Sequence, residues 1–198
     1  LAAELATRKT TSQALVEDAL MRIAIASGEG ARVFMHTQRE SALAEARASD
    51  TLRAHGIVPS PLAGIPVSVK DLFDVAGDIT RAGSKALADA APAMADATVV
   101  RRLRQAGAII VGRTNMVEFA FSGLGLNPHY GTPKNPWDRA TGRIPGGSSS
   151  GAAVSVSDDM AAMGLGTDTA GSVRVPAALC GLTGFKPTAR RIPRDGTF

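Results

Sequence analysis

Cysteine is nearly absent. Cys180 is the single one in 198 residues, so the chain forms no internal disulfide, and such usage suits a reducing compartment, the cytoplasm. Cys180 follows Ala177, Ala178 and Leu179, which reads as a small buried hydrophobe. Aromatic residues make up only 4%, with small residues abundant, which points to close packing of helices on a sheet. No apolar run reaches about 18 residues, so no membrane-spanning helix is expected. The opening LAAELATRKT lacks a basic segment followed by an apolar one, so no secretory leader is read there. A large excess of one charge is also lacking. The net +4 is mild, the Arg101–Arg102–Arg104 and Arg190–Arg191–Arg194 groups read as solvated faces, and nucleic-acid binding is not expected. Histidine is rare too: His36, His55 and His129 are the three present.

What is there fits a packed α/β domain. Hydrophobic residues make up 44% and charged residues 20%. Thr10 and Gln13 have capping-box spacing before a predicted helix over 14–26, and Thr37 and Glu40 repeat the signal before a helix to Arg53, ended by Gly56. Ile65–Val69 reads as a short buried strand. Asp96 is placed to cap a helix over 97–105, followed by a strand over 108–111 and a helix over 114–121. Gly123–Ser148 reads as a long structured loop. Beyond it, helix is expected over 152–156, strand over 161–166 and helix over 172–179. Alternating helices and short apolar strands predict a layered α/β fold, taken as one domain over 1–198. The chain lacks an initial Met and a closing element, so a piece of a longer protein is expected.

Hydroxyls and glycines concentrate twice, in Gly146-Gly-Ser-Ser-Ser-Gly151 and in Gly166-Thr-Asp-Thr-Ala-Gly-Ser172. The first contains G-x-S-x-G centred on Ser149. A nucleophile elbow needs a strand before it and a histidine after it. Here a loop leads in, and all three histidines lie upstream. The second has P-loop glycine spacing, but Ser172 stands where the phosphate-binding lysine belongs. A glycine-serine loop is also found in the GHMP small-molecule kinases, although no acidic partner for magnesium accompanies it here. The remaining chemistry is a serine activated by a lysine. A hydroxyl is a poor nucleophile without an adjacent base, and a lysine serves as base when burial keeps it neutral. Lys70, at the end of the apolar PVSVK segment, is placed for burial; the plainer reading is a strand-end lysine reaching solvent or pairing with Asp71 or Asp74.

Three blocks resemble the amidase signature family: Gly64-Ile-Pro-Val-Ser-Val-Lys-Asp71, Gly146-Gly-Ser-Ser-Ser-Gly151 and Gly166-Thr-Asp-Thr-Ala-Gly-Ser-Val-Arg-Val-Pro-Ala177, in the family's order. Lys134-Asn-Pro-Trp-Asp138 and Gly184-Phe-Lys-Pro-Thr188 are also similar to it. The resemblance implies a central mixed β-sheet covered by helices, in a domain more than twice this long. It also implies a Ser–cis-Ser–Lys triad: Ser172 as nucleophile, Ser148 after a cis peptide as bridge, Lys70 as terminal base. The two serines lie 24 positions apart (172 − 148), the family's usual separation. The implied oxyanion hole is the backbone N–H groups of Thr169, Ala170, Gly171 and Ser172. Ala170 stands where the family usually has glycine, at a cost of about 1 kcal/mol if that position takes positive φ.

Asp168 and Arg174 read as a buried ion pair shaping the loop, with Arg174 meeting an acidic substrate group as the alternative. Met116, Phe119 and Phe121 read as a helix core stripe, or else, with Met116 at the substrate, as a pocket wall. Ser149 and Ser150 read as turn chemistry or local hydrogen-bond donors. The implied reaction is amide hydrolysis through an acyl-enzyme, on a small-molecule amide, without metal or cofactor, in a protein that could be a homodimer. Within the family two roles stay open: a free-standing amidase, and the ammonia-releasing component of a glutamyl-tRNA(Gln) amidotransferase. The loop Phe119-Ala-Phe-Ser-Gly-Leu-Gly-Leu-Asn127 looks more like the free-standing enzymes.

Overall fold

A computed structural model describes all residues 1–198. Its centre is a four-stranded sheet in the order β1-β3-β2-β4, from β1 (Phe34–Thr37), β2 (Pro66–Lys70), β3 (Ile109–Thr114) and β4 (Met163–Leu165). β2 runs parallel to β3 and β4, and β1 antiparallel to β3, so the sheet is mixed. Every residue of β2 and β3 is buried, as expected for strands covered on both faces.

Side chains alternate across a strand, and here the alternation places the chemistry. Val67 and Val69 of β2, with Ile110 of β3, face a core closed by Val100 of α5 (Thr98–Gln105). Ile109 and Val111 face the opposite core, filled by α2 (Ser12–Ala24), α4 (Arg39–Ala54) and α6 (Ser150–Ser157). Burial of each of these branched side chains contributes about 1.5–3 kcal/mol. Ser68 and Lys70 alternate with the valines. They therefore point at α6: Ser68 Oγ lies 2.8 Å from Ser155 Oγ, and Lys70 reaches the start of that helix. Short helices α1 (Ala2–Ala6), α3 (Gly30–Val33) and α7 (Arg174–Leu179) complete the order.

The long segments form where the pattern places them, with shifts at their caps. Thr11, not Thr10, caps α2, its hydroxyl accepting the Ala14 N–H at 3.0 Å. Asp96 does not cap α5; it accepts the Ala76 N–H and pairs with Arg104. Thr37 ends β1 rather than opening α4, which begins after Gln38. The expected helix over 114–121 does not form. β3 continues through Thr114, and Phe119 and Ala120 hold positive φ values of 50° and 58°, which no right-handed helix contains. A single 3₁₀ turn over Glu118–Ala120 remains.

Candidate active site

Lys70 ends β2 fully buried, and its amine meets three hydroxyls. Nζ lies 2.7 Å from Ser148 Oγ, 2.7 Å from Thr167 Oγ1 and 3.1 Å from Ser149 Oγ. Burial pushes the amine down to about 7, against the opposing pull of the Asp168 carboxylate. Ser148 follows a cis peptide from Gly147. Its position is fixed from both sides: the Val117 N–H donates to its carbonyl at 3.0 Å, and the Gly147 N–H donates to Gly123 O at 2.8 Å. A Cβ on Gly147 would sit 2.8–2.9 Å from the backbone of Gly125, so glycine is required for this approach.

The second glycine block forms the loop between β4 and α7. Asp168 organises it. Its carboxylate accepts the N–H groups of Gly171 at 2.8 Å, Val173 at 3.1 Å and Arg174 at 3.2 Å, and takes both arms of the Arg174 guanidinium at 2.9 Å. The guanidinium, followed by the backbone donors, holds this carboxyl well below the usual carboxylate range. The Asp168 side chain is covered while that of Arg174 is half-exposed, so the pair forms at the surface of the loop. This is the ion pair that the sequence favoured for Asp168 and Arg174, with the guanidinium left half-exposed.

Ser172 sits beside Ser149, whose N–H donates to the Ser172 carbonyl at 3.2 Å. The Ser172 hydroxyl makes no hydrogen bond to the protein. The N–H groups of Thr169, Ala170 and Ser172 likewise have no protein acceptor. Gly171 leaves the expected oxyanion set, because its N–H is taken by Asp168. Gly171 is also where the loop needs glycine, at φ +138°; Ala170 has no positive φ, so alanine is unstrained there. Met116 is withdrawn from any pocket wall: it is fully buried against Leu72 and Ala82. Phe121, by contrast, is almost wholly exposed.

The profile of the family described as Amidase matches residues 14–198. The chain belongs to the amidase signature family. It is similar to AtzE of Pseudomonas sp. strain ADP, a component of 1-carboxybiuret hydrolase, at 46% identity over 98% of this chain and 42% of that protein. It is 46% identical to a glutamyl-tRNA(Gln) amidotransferase component of Chromohalobacter salexigens, over 99% of this chain and 39% of that one. Among solved structures it superposes on the peptide amidase of Stenotrophomonas maltophilia with a TM-score of 0.87 at 38% identity, covering 98% of this chain and 40% of that one. The chain thus spans about two fifths of the length of these relatives, and its mixed sheet with flanking helices is part of the amidase signature fold. Membership also removes the kinase reading on physical grounds. The Gly166–Ser172 segment lacks the lysine that a P-loop supplies to phosphate, with Ser172 in its place.

Thr167 was not foreseen as a lysine partner; Ser149, read as turn chemistry or a local hydrogen-bond donor, does donate to Thr167 O at 3.3 Å and also accepts from Lys70. The signal was present. A buried amine has up to three N–H groups to satisfy, and hydroxyls inside the glycine blocks are the polar groups available.

Proposed function

We propose that this chain carries the catalytic centre of an amide hydrolase in which Ser172 attacks, Ser148 relays the proton and Lys70 receives it. The observation that carries the reading is the buried amine, pushed down to about 7 by burial, at 2.7 Å from Ser148 Oγ. The Ser172 hydroxyl is free to meet a carbonyl carbon. As its oxygen bonds to that carbon, its proton passes to Ser148 Oγ and the Ser148 proton passes to Lys70 Nζ. The carbonyl π pair becomes an oxyanion, next to the unpaired N–H groups of Thr169, Ala170 and Ser172. The proton then returns from Lys70 through Ser148 to the amide nitrogen, the C–N bond breaks, and ammonia or an amine leaves. Water cleaves the acyl ester on Ser172 by the same relay. Hydrogen bonds between catalytic groups tighten when substrate arrives, which is the step that joins Ser172 to Ser148.

Similarity to the amidotransferase component favours a second role for the same centre, releasing ammonia within a complex. Free-standing hydrolysis is the first reading, because the 119–127 loop resembles the free-standing enzymes. The complete polypeptide, purified without partners, is expected to release ammonia or amine from small amides. The Ser172→Ala variant is expected to lose about 10⁴-fold or more in kcat with an almost unchanged Tm. Amide cleavage that persists in Ser172→Ala would refute the assignment. Ammonia release only after partner chains are added would select the second role.

A further inference from the structure

Lys70 Nζ has three hydroxyl oxygens around it, at 2.7, 2.7 and 3.1 Å. Beyond its bond to Cε, a tetrahedral nitrogen has three directions to offer. As an ammonium it donates along all three; as an amine it donates along two and presents a lone pair along the third. Ser149 directs its own hydrogen to the Thr167 carbonyl oxygen at 3.3 Å, so towards the lysine it is an acceptor only. The lone pair therefore faces Ser148 or Thr167. We infer that Ser149 and Thr167 are positioning residues: they accept the two N–H groups of neutral Lys70, aim its lone pair at Ser148, and continue to accept once the ammonium forms. The inference rests on the relay proposed above and adds to it the two groups that orient its base.

Two features of the chain support this cage. Gly166 leaves the space in which Ser149 sits, since a Cβ there would lie 2.7 Å from Ser149 Oγ. Thr167 directly precedes Asp168, so the carboxylate that fixes the loop also fixes the Thr167 hydroxyl beside Nζ. The charge facing the amine is Asp168, which favours the ammonium. Asp71, next along the chain after β2, is engaged by the Gly83 N–H and by Arg113; the other groups touching Nζ are uncharged hydroxyls.

The test is the titration of Lys70 itself, read by NMR on lysine labelled with ¹³C at Cε, with Lys70→Met assigning the signal. It is paired with the pH profile of kcat in the complete polypeptide. Removing an acceptor weakens the charged form more than the neutral one. Thr167→Val is therefore expected to lower the Lys70 pKa, and move the acid limb of activity down, by about one pH unit. Plateau kcat is expected to fall about tenfold, with KM within about twofold. Ser149→Ala is expected to shift both in the same sense by less, and it carries the test if Thr167→Val does not fold. Thr167→Ser restores the hydroxyl and should restore both values. An unmoved titration in Thr167→Val and Ser149→Ala, or no rescue by Thr167→Ser, overturns the cage. Because the titration needs no turnover, its result stands apart from failure of the functional reading, which Ser172→Ala tests.

Discussion

At Lys70 burial and the Asp168 charge act in opposite directions, and burial wins, leaving the amine at about 7 instead of its ordinary 10.5. The sign of the stability effect follows. Between these two values the unfolded chain holds a proton that the folded chain has released, so stability rises with pH from about 7 towards 10.5 and levels below 7. Lys70→Met is expected to remove that slope, and urea unfolding of wild type and variant at pH 7.5 and 9.5 measures it. An identical pH dependence in both proteins would place the titration elsewhere. Activity follows the same group, since only the neutral amine accepts the Ser148 proton. The rate is expected to climb through about pH 7 as Lys70 deprotonates. At this scale the residues alone left Lys70 open between a buried base and a plain strand-end lysine, and it was the resemblance of three motif blocks to the amidase signature family that implied the base. What stayed hidden was hydrogen-bond direction. That Gly171 turns its N–H to Asp168, and that Thr167 reaches Nζ, depend on loop dihedrals that residue identity does not set.

Among the elements, α6 decides where Ser148 and Ser149 stand. Its first turn packs with almost no clearance: a Cβ on Gly151 would lie 2.6 Å from Asn115 O and 2.7 Å from Val33 O. Both neighbours are backbone, so neither gives way. Gly151→Ala is expected to cost about 1–3 kcal/mol, seen as a lower unfolding midpoint, and to lower activity by displacing the serines. An unchanged midpoint would mean that the helix start is looser than its contacts indicate. The strand β2 was legible because its apolar run is short and bounded; that Ser68 and Lys70 share the face towards α6 emerges in the structure from the strand's period of two. The edge strand β1 was not. Its four residues alternate weakly, three of them at least partly exposed, and Thr37 mimics a helix cap. The segment 114–121 carries apolar residues at helical spacing, yet the Asn115 side chain holds Arg32 O and Gly131 O and bends the chain away. Tertiary hydrogen bonds overrode the local pattern there.

For the whole molecule, the alternation of helices with short apolar strands foretold the α/β layering, and small residues do let α6 approach the sheet closely, with Gly164 of β4 against Ala152. No helix is long and apolar enough to cross a membrane. Phe121, Trp137, Phe185 and Phe198 are mostly exposed, and β4 pairs on one side only. Apolar surface of this kind, beside an open strand edge, favours association. Residues 1–198 expressed alone are therefore expected to self-associate in sedimentation experiments and to bind an apolar dye. A monodisperse monomer that binds no dye would contradict this.

The relay from Ser172 through Ser148 to Lys70 is tested most directly by covalent capture. The complete polypeptide is treated with a fluorophosphonate, which reacts with activated serines, and the adduct is located by peptide mass spectrometry. One adduct is expected, on Ser172, lost in Ser172→Ala and strongly reduced in Lys70→Ala. An adduct on Ser148 or any other serine, or labelling of Ser172 at full rate without Lys70, would contradict the relay.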